Sequence, residues 1–189
     1  MSSKELVLGF VSDNMLGFDG ETYYYKAGEW RYIETIAPTF THVDLCVEIW
    51  HFDTLSAAEQ AEFVYTLNIP NGRIFDLTPP KQARQSWFSR QSHSWKVIRP
   101  IIGRWNYAFL LIPSYHSAIA WLLHKFNRWH YTVWARADWV GASRPRWPKG
   151  RFMKLLQPLG LGVIGKIESV ILHDAELRMT DGLVLVERY

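Results

Sequence analysis

Cysteine is almost missing from this chain. Cys46 stands alone, so no internal disulfide can form and stability must come from a packed core. Also missing is any apolar run near the roughly 18 residues that a bilayer crossing needs; the best, Tyr107 to Pro113, is the length of a strand. The opening MSSKELVLGF has neither the basic flank nor the apolar stretch of a secretion signal. With the single thiol, this points to a reducing, cytoplasmic setting without membrane insertion. Low-complexity tracts and repeats of solenoid type are absent too. What is present is core material: 48% of the 189 residues are hydrophobic and 15% aromatic. That excludes a disordered chain and suits one domain over residues 1–189.

The net charge of +3 conceals an uneven distribution. Residues 1–80 carry four Lys/Arg against twelve Asp/Glu, whereas residues 81–154 carry fourteen against the single acid Asp138. Eight of the ten Trp fall in that basic block. An acidic lobe over about 1–80 and a basic, Trp-rich lobe over about 81–189 are therefore expected. Cations mixed with flat rings suit phosphate-bearing ligands, so a nucleic acid or nucleotide is the expected partner. The same charges could instead pair the two lobes within one chain, or join copies of it in a homo-oligomer or to another protein.

Periodicity gives the expected elements. Glu5 to Val11 reads as a strand, followed by a hairpin around Tyr23-Tyr24-Tyr25. Thr41 to Trp50 alternates, with Val43, Leu45, Val47 and Ile49 on one face and His42, Asp44, Cys46 and Glu48 on the other. Ser56 to Glu59 is a capping box opening a helix to about Asn68. Asp76 to Trp95 reads as a long loop, and Val97 to Ile102 and Trp105 to Ile112 as strands. Tyr115 to Asn127 is a second helix. Trp129 to Trp139, Val163 to Leu172 and Leu183 to Tyr189 read as further strands. This predicts an α+β fold with a mainly antiparallel sheet and two principal helices, a layout compatible with two pseudo-repeated lobes.

Two of the seven histidines open alternating strands on their polar faces. His42 is followed on its face by Asp44, and His130 by Thr132 and Arg136. If those faces adjoin, two imidazoles that titrate near neutral pH form an acid–base pair beside a guanidinium that can hold an anion. Arg144, Arg146, Trp147, Lys149 and Arg151 lie in a Gly/Pro-bounded loop and are further candidates for phosphate contact. Cys46, in mid-strand between Asp44 and Glu48, reads as an inert thiol. His42, Asp44, Glu48 and His51 lack the spacing of a metal motif, so no metal is expected. Gly160 to Gly165 spells G-x-G-x-x-G without a following helix pattern, so it reads as a turn; no cofactor is implied.

The parts NYAFLLIP, SYHSAIAWLLHKFN, RWHYTVWARADW and GKIESVILHDAELRMTDGLVLVERY, over about residues 105–189, resemble the C-terminal half of the two-histidine phosphoesterases, the superfamily of RNA ligase-like cyclic phosphodiesterases. That family carries two His-x-Thr/Ser motifs, and here His42 and His130 lie 88 residues apart. His130-Tyr131-Thr132 matches the motif. His42-Val43-Asp44 departs from it, with a carboxylate where the family has a hydroxyl; a carboxylate there repels a phosphate. The resemblance implies a metal-independent phosphodiesterase acting on RNA ends, cyclic nucleotides or similar phosphodiesters, with His42 and His130 as acid and base and Thr132 holding a phosphate oxygen; Asp44 stands beside His42, and Arg136 is a phosphate candidate from its place on the His130 face. The alternative is a non-catalytic viral structural or host-interaction protein docking through its basic, Trp-rich surface.

Overall fold

The computed structural model describes residues 5–26, 28–80, 87–127, 130–136, 140, 143 and 151–180. Six strands form one sheet: β1 (Val7–Val11), β4 (His42–Val47), β7 (Gly72–Asp76), β8 (Tyr107–Ile112), β9 (His130–Ala135) and β10 (Leu177–Thr180), in the order β10-β9-β8-β1-β4-β7. Every pairing in it is parallel. The antiparallel expectation is therefore corrected: this is a doubly wound, Rossmann-like α/β sheet, whose strand order runs outward from β1 and reverses between β1 and β8.

The correction has a physical cause. Parallel strands need crossover segments, which cover both faces of the sheet. Val7, Val11, Ala108, Leu110, Ile112, Tyr131, Val133 and Ala135 pack on one side with Ile98 and Ile101 of α3 (Trp87–Ile102), Ala120 and Leu123 of α4 (Tyr115–Asn127), and Ile171 and Leu172 of α5 (Arg151–Asp174). Leu8, Phe10, Val43, Leu45, Val47, Phe109 and Leu111 pack on the other with Trp30 and Ile33 of α1 (Glu29–Ile36). Alternation along Thr41 to Trp50 thus separates two buried faces, not a buried face from a wet one.

Other readings shift with it. The supposed loop and strand over 76–102 contain α3, in which buried Ser94, Ile98, Ile101 and Ile102 recur at helical spacing. Val163 to Leu172 lies inside α5, where Leu161 and Glu168 are buried seven residues apart and Ile171 and Leu172 are buried three and four beyond Glu168. The helix expected from Ser56 keeps its capping box but is only one turn, α2 (Ala57–Gln60). Beyond it Phe63 turns inward and β6 (Tyr65–Thr66) pairs with β3 (Tyr23–Tyr25). Tyr115 to Asn127 is a helix as expected. Leu183 to Tyr189 lies outside the described residues.

A second, mixed sheet of four strands stands at the carboxyl edge of the first, in the order β5 (Ile49–His51), β2 (Leu16–Phe18), β3, β6. β1 and β4 each run on into it, as β2 and β5, after short linkers. Leu16 N donates to Glu48 O across those linkers at 2.9 Å. No helix among the described residues is long and apolar enough to cross a membrane.

Candidate functional site

In doubly wound sheets ligands bind outside the carboxyl ends of the strands, where the order reverses. Here that place lies between β1 and β8, and polar side chains from six segments converge there. Past β1, Ser12 N donates to Cys46 O at 3.2 Å and Ser12 Oγ accepts from Asn14 N at 2.9 Å, a tight turn that presents Asp13. Past β4 comes Glu48, in the one-residue gap before β5. Past β8, Ser114 caps α4 by accepting from Ser117 N at 3.3 Å, and Ser117 Oγ donates to Val11 O at 3.2 Å. This bolts the first turn of α4 onto the end of β1, with His116 between the two serines.

His116 is 8% exposed, and its ring is held at both nitrogens. Its Nδ1 is 2.8 Å from Oγ of the fully buried Ser94 on α3, and its Nε2 is 3.4 Å from Glu48 Oε1. A carboxylate can only accept, so with a neutral imidazole Nε2–H faces Glu48 and the Ser94 hydroxyl donates to Nδ1. Ser94 is enclosed and therefore orients the ring; it cannot act as a nucleophile. Past β9, Arg136 has its backbone tied to Ile112 O at 2.9 Å and its Nη1 3.5 Å from Oε1 of the buried Glu29, at the start of α1.

Asp13 is open to solvent on one side and has protein on the others, the situation of a crevice wall. Burial raises its pKa above the ordinary aspartate value and the Glu48 charge adds to this, while its own backbone hydrogen bond, His116 and Arg136 oppose it. Buried Asn14 Nδ2 has no hydrogen-bond partner among the described residues, and Glu29 Oε1 has only its long ion pair with Arg136. Unsatisfied polar atoms beside a crevice are what a ligand would satisfy.

The residues expected from the sequence lie elsewhere. His42 is in register with Val7 on the α3 face, and His130 with Tyr107 on the α1 face. They open β4 and β9 at the amino-terminal edge, with β8 and β1 between them, so about 14 Å of sheet separates them. Two imidazoles on opposite faces cannot serve one phosphate, and that pairing is corrected here. His130 Nδ1 instead meets Glu176 Oε1. Thr132 is buried against the Tyr107 hydroxyl. Asp44, 0% exposed, binds Arg73, Arg104 and Trp105. Neither Thr132 nor Asp44 is free to hold a substrate. Burial drives the Cys46 thiol well above its usual pKa, as an inert cysteine requires.

Among the candidate phosphate ligands, Arg136 alone is placed at the crevice. Arg151 opens α5 without a described side chain, and Arg144, Arg146, Trp147 and Lys149 lie outside the described residues. No metal-binding group of three or more His, Cys, Asp or Glu occurs among the described residues. Sequence reasoning missed Asp13, Glu48 and His116 as a set. The available signal was position: each directly follows a strand, or opens the helix after one.

No protein-family model matches the chain, and no curated protein sequence matches it. Among solved structures it is similar to a protein described as a candidate UDP-N-acetylglucosamine 2-epimerase from Listeria monocytogenes, at 10% identity and a TM-score of 0.45. The match covers 98% of this chain and spans 43% of that protein's length.

Proposed function

We propose that the protein is an acid–base enzyme acting on a small polar molecule held in the crevice between β1 and β8. The observation that carries this reading is the convergence of Asp13, Glu48, His116 and Arg136, from four separate segments, on the point where the strand order reverses. The acidic wall, Asp13, Glu48 and Glu29, comes from the first half of the chain. The basic wall, His116 and Arg136, comes from the second. A ligand bearing hydroxyls and a group of either charge finds partners on both sides.

The roles follow from the geometry. In its other neutral tautomer, with Nδ1–H donating to Ser94 Oγ, His116 carries its lone pair on Nε2 and takes a proton there, with Glu48 stabilising the imidazolium that forms. Asp13, which keeps its proton to higher pH than an ordinary aspartate, is the complementary acid. Arg136 and the amino terminus of α4 face negative charge as it develops. Tryptophan stacking on nucleic acid finds no support in the described part of the basic block: Trp95, Trp105, Trp121 and Trp134 pack into the two cores.

The test is to titrate the protein with a panel of nucleotides, sugar phosphates and amino acids while following the histidine ring resonances. A binder should shift His116 and leave His42 and His130 in place. With that binder as substrate, His116→Ala should keep affinity within a small factor and lower turnover by about 10² to 10⁴, the worth of one general acid or base. Binders that shift His42 or His130 and leave His116 unmoved would refute the assignment.

A further inference from the structure

We propose a second, anion-binding site on the α3 face toward the amino-terminal edge of the sheet, in which Arg73 and Arg104 grip a phosphate-bearing small molecule. The frame is Asp44. Arg73 Nε donates to its Oδ1 at 3.0 Å, and Arg104 Nε and Trp105 Nε1 donate to its Oδ2 at 2.7 and 2.9 Å. One buried carboxylate thus faces two guanidinium groups, an excess of one positive charge.

Each arginine spends Nε on Asp44, and no other described residue accepts from its Nη nitrogens. Both side chains are 38% exposed. The two Nε atoms lie within about 8 Å of each other across the carboxylate, so both guanidinium groups stand beside one another at a single, partly exposed place. Arg104 is further fixed with its guanidinium carbon 5.1 Å from the centre of the Phe75 ring. A single arginine binding end-on would have satisfied Asp44 bidentately. Two side-on arginines leave the planar forks that match phosphate oxygens, already ordered, so little side-chain entropy remains to be lost on binding. His42 lies two residues before Asp44 on the same strand face and can add a third donor. This site is at the opposite end of the strands from the crevice and independent of it.

Arginine-directed modification tests the proposal in the intact protein. Phenylglyoxal adducts at Arg73, Arg104, Arg99 and Arg178 are quantified by peptide mass spectrometry in chloride, in inorganic phosphate and in adenosine monophosphate, at equal ionic strength. With either phosphate probe at about twice its dissociation constant, Arg73 and Arg104 should react about threefold more slowly, since only the free fraction reacts, while Arg99 and Arg178 are unchanged. Arg73→Lys keeps the charge opposite Asp44 but loses the fork, and should abolish protection at Arg104. Should that variant fail to fold, Arg104→Lys read at Arg73 makes the same comparison. Equal rates in chloride and both phosphate probes, equal slowing at all four arginines, or protection that survives the lysine change would each overturn the site.

Discussion

Gly9 sits at the centre of β1, paired with Asp44 on one side and Ala108 on the other. A methyl group added there would stand 2.2 Å from Trp105 Cδ2 and 2.4 Å from Cε2 and Cε3. Those are rigid ring atoms of a side chain that is 4% exposed, so the indole must leave its place on the sheet. Overpacking of this kind costs about 1–3 kcal/mol. Moving the indole also withdraws its N–H from a fully buried carboxylate, about 1.5–3 kcal/mol more, so Gly9→Ala should cost about 2.5–6 kcal/mol. That is a large part of the stability of an ordinary domain. Urea unfolding of the wild type, Gly9→Ala, Trp105→Ala and the double variant closes a cycle. With the ring gone, the methyl group meets open space and relieves a glycine in a strand, so Gly9→Ala should then be close to neutral. A single-variant cost below about 0.5 kcal/mol, or additivity across the cycle, would refute the packing argument.

Asp13→Asn should stabilise the fold at neutral pH. The native pKa of Asp13 is raised, so the folded state binds a proton more tightly than the unfolded one, and wild-type stability relative to the variant should fall as pH rises through the window above 3.8. The gain is small because the carboxyl is solvent-accessible, and urea midpoints between pH 4 and pH 7 would show it; a variant less stable than wild type at pH 7 contradicts it. Asp44→Asn should cost about 3 kcal/mol, because it leaves two guanidinium groups and an indole N–H against an amide. A loss below about 1 kcal/mol in the same assay would mean that Asp44 is not what holds Arg73 and Arg104 in place.

Much of the local structure was legible. The strand at Tyr107, the helix from Tyr115 and the capping box at Ser56 follow from period and capping chemistry. Strand direction was not legible, because an inner strand buried on both faces shows the same alternation as a half-wet one when a buried Asp44 with partners far along the chain takes a polar position. α5 was disguised by Pro158, Gly160, Gly162 and Gly165, which lower helix propensity, while its packing on the sheet outweighs that loss. The site failed for the same reason as the topology. His42 and His130 stand at strand beginnings, and in a parallel sheet the chemistry gathers at strand ends. Once the sheet is known to be parallel, the turn after β1 and the start of α4 become the places to look.

The order of the strands also bears on how the chain reaches this state. β1 joins β4 across about 35 residues, but its other neighbour, β8, arrives only after about a hundred, a junction sealed by Val7 N donating to Asn106 Oδ1. Each half can assemble its own three strands from nearer contacts, whereas the seam between halves must wait for the longest loop to close. Until it does, β1 and β8 each present a bare apolar edge of the kind that recruits other chains. The crevice is made at that same seam, so it is among the last features of the molecule to exist, and a chain trapped before docking would lack the site while exposing the edges that favour aggregation.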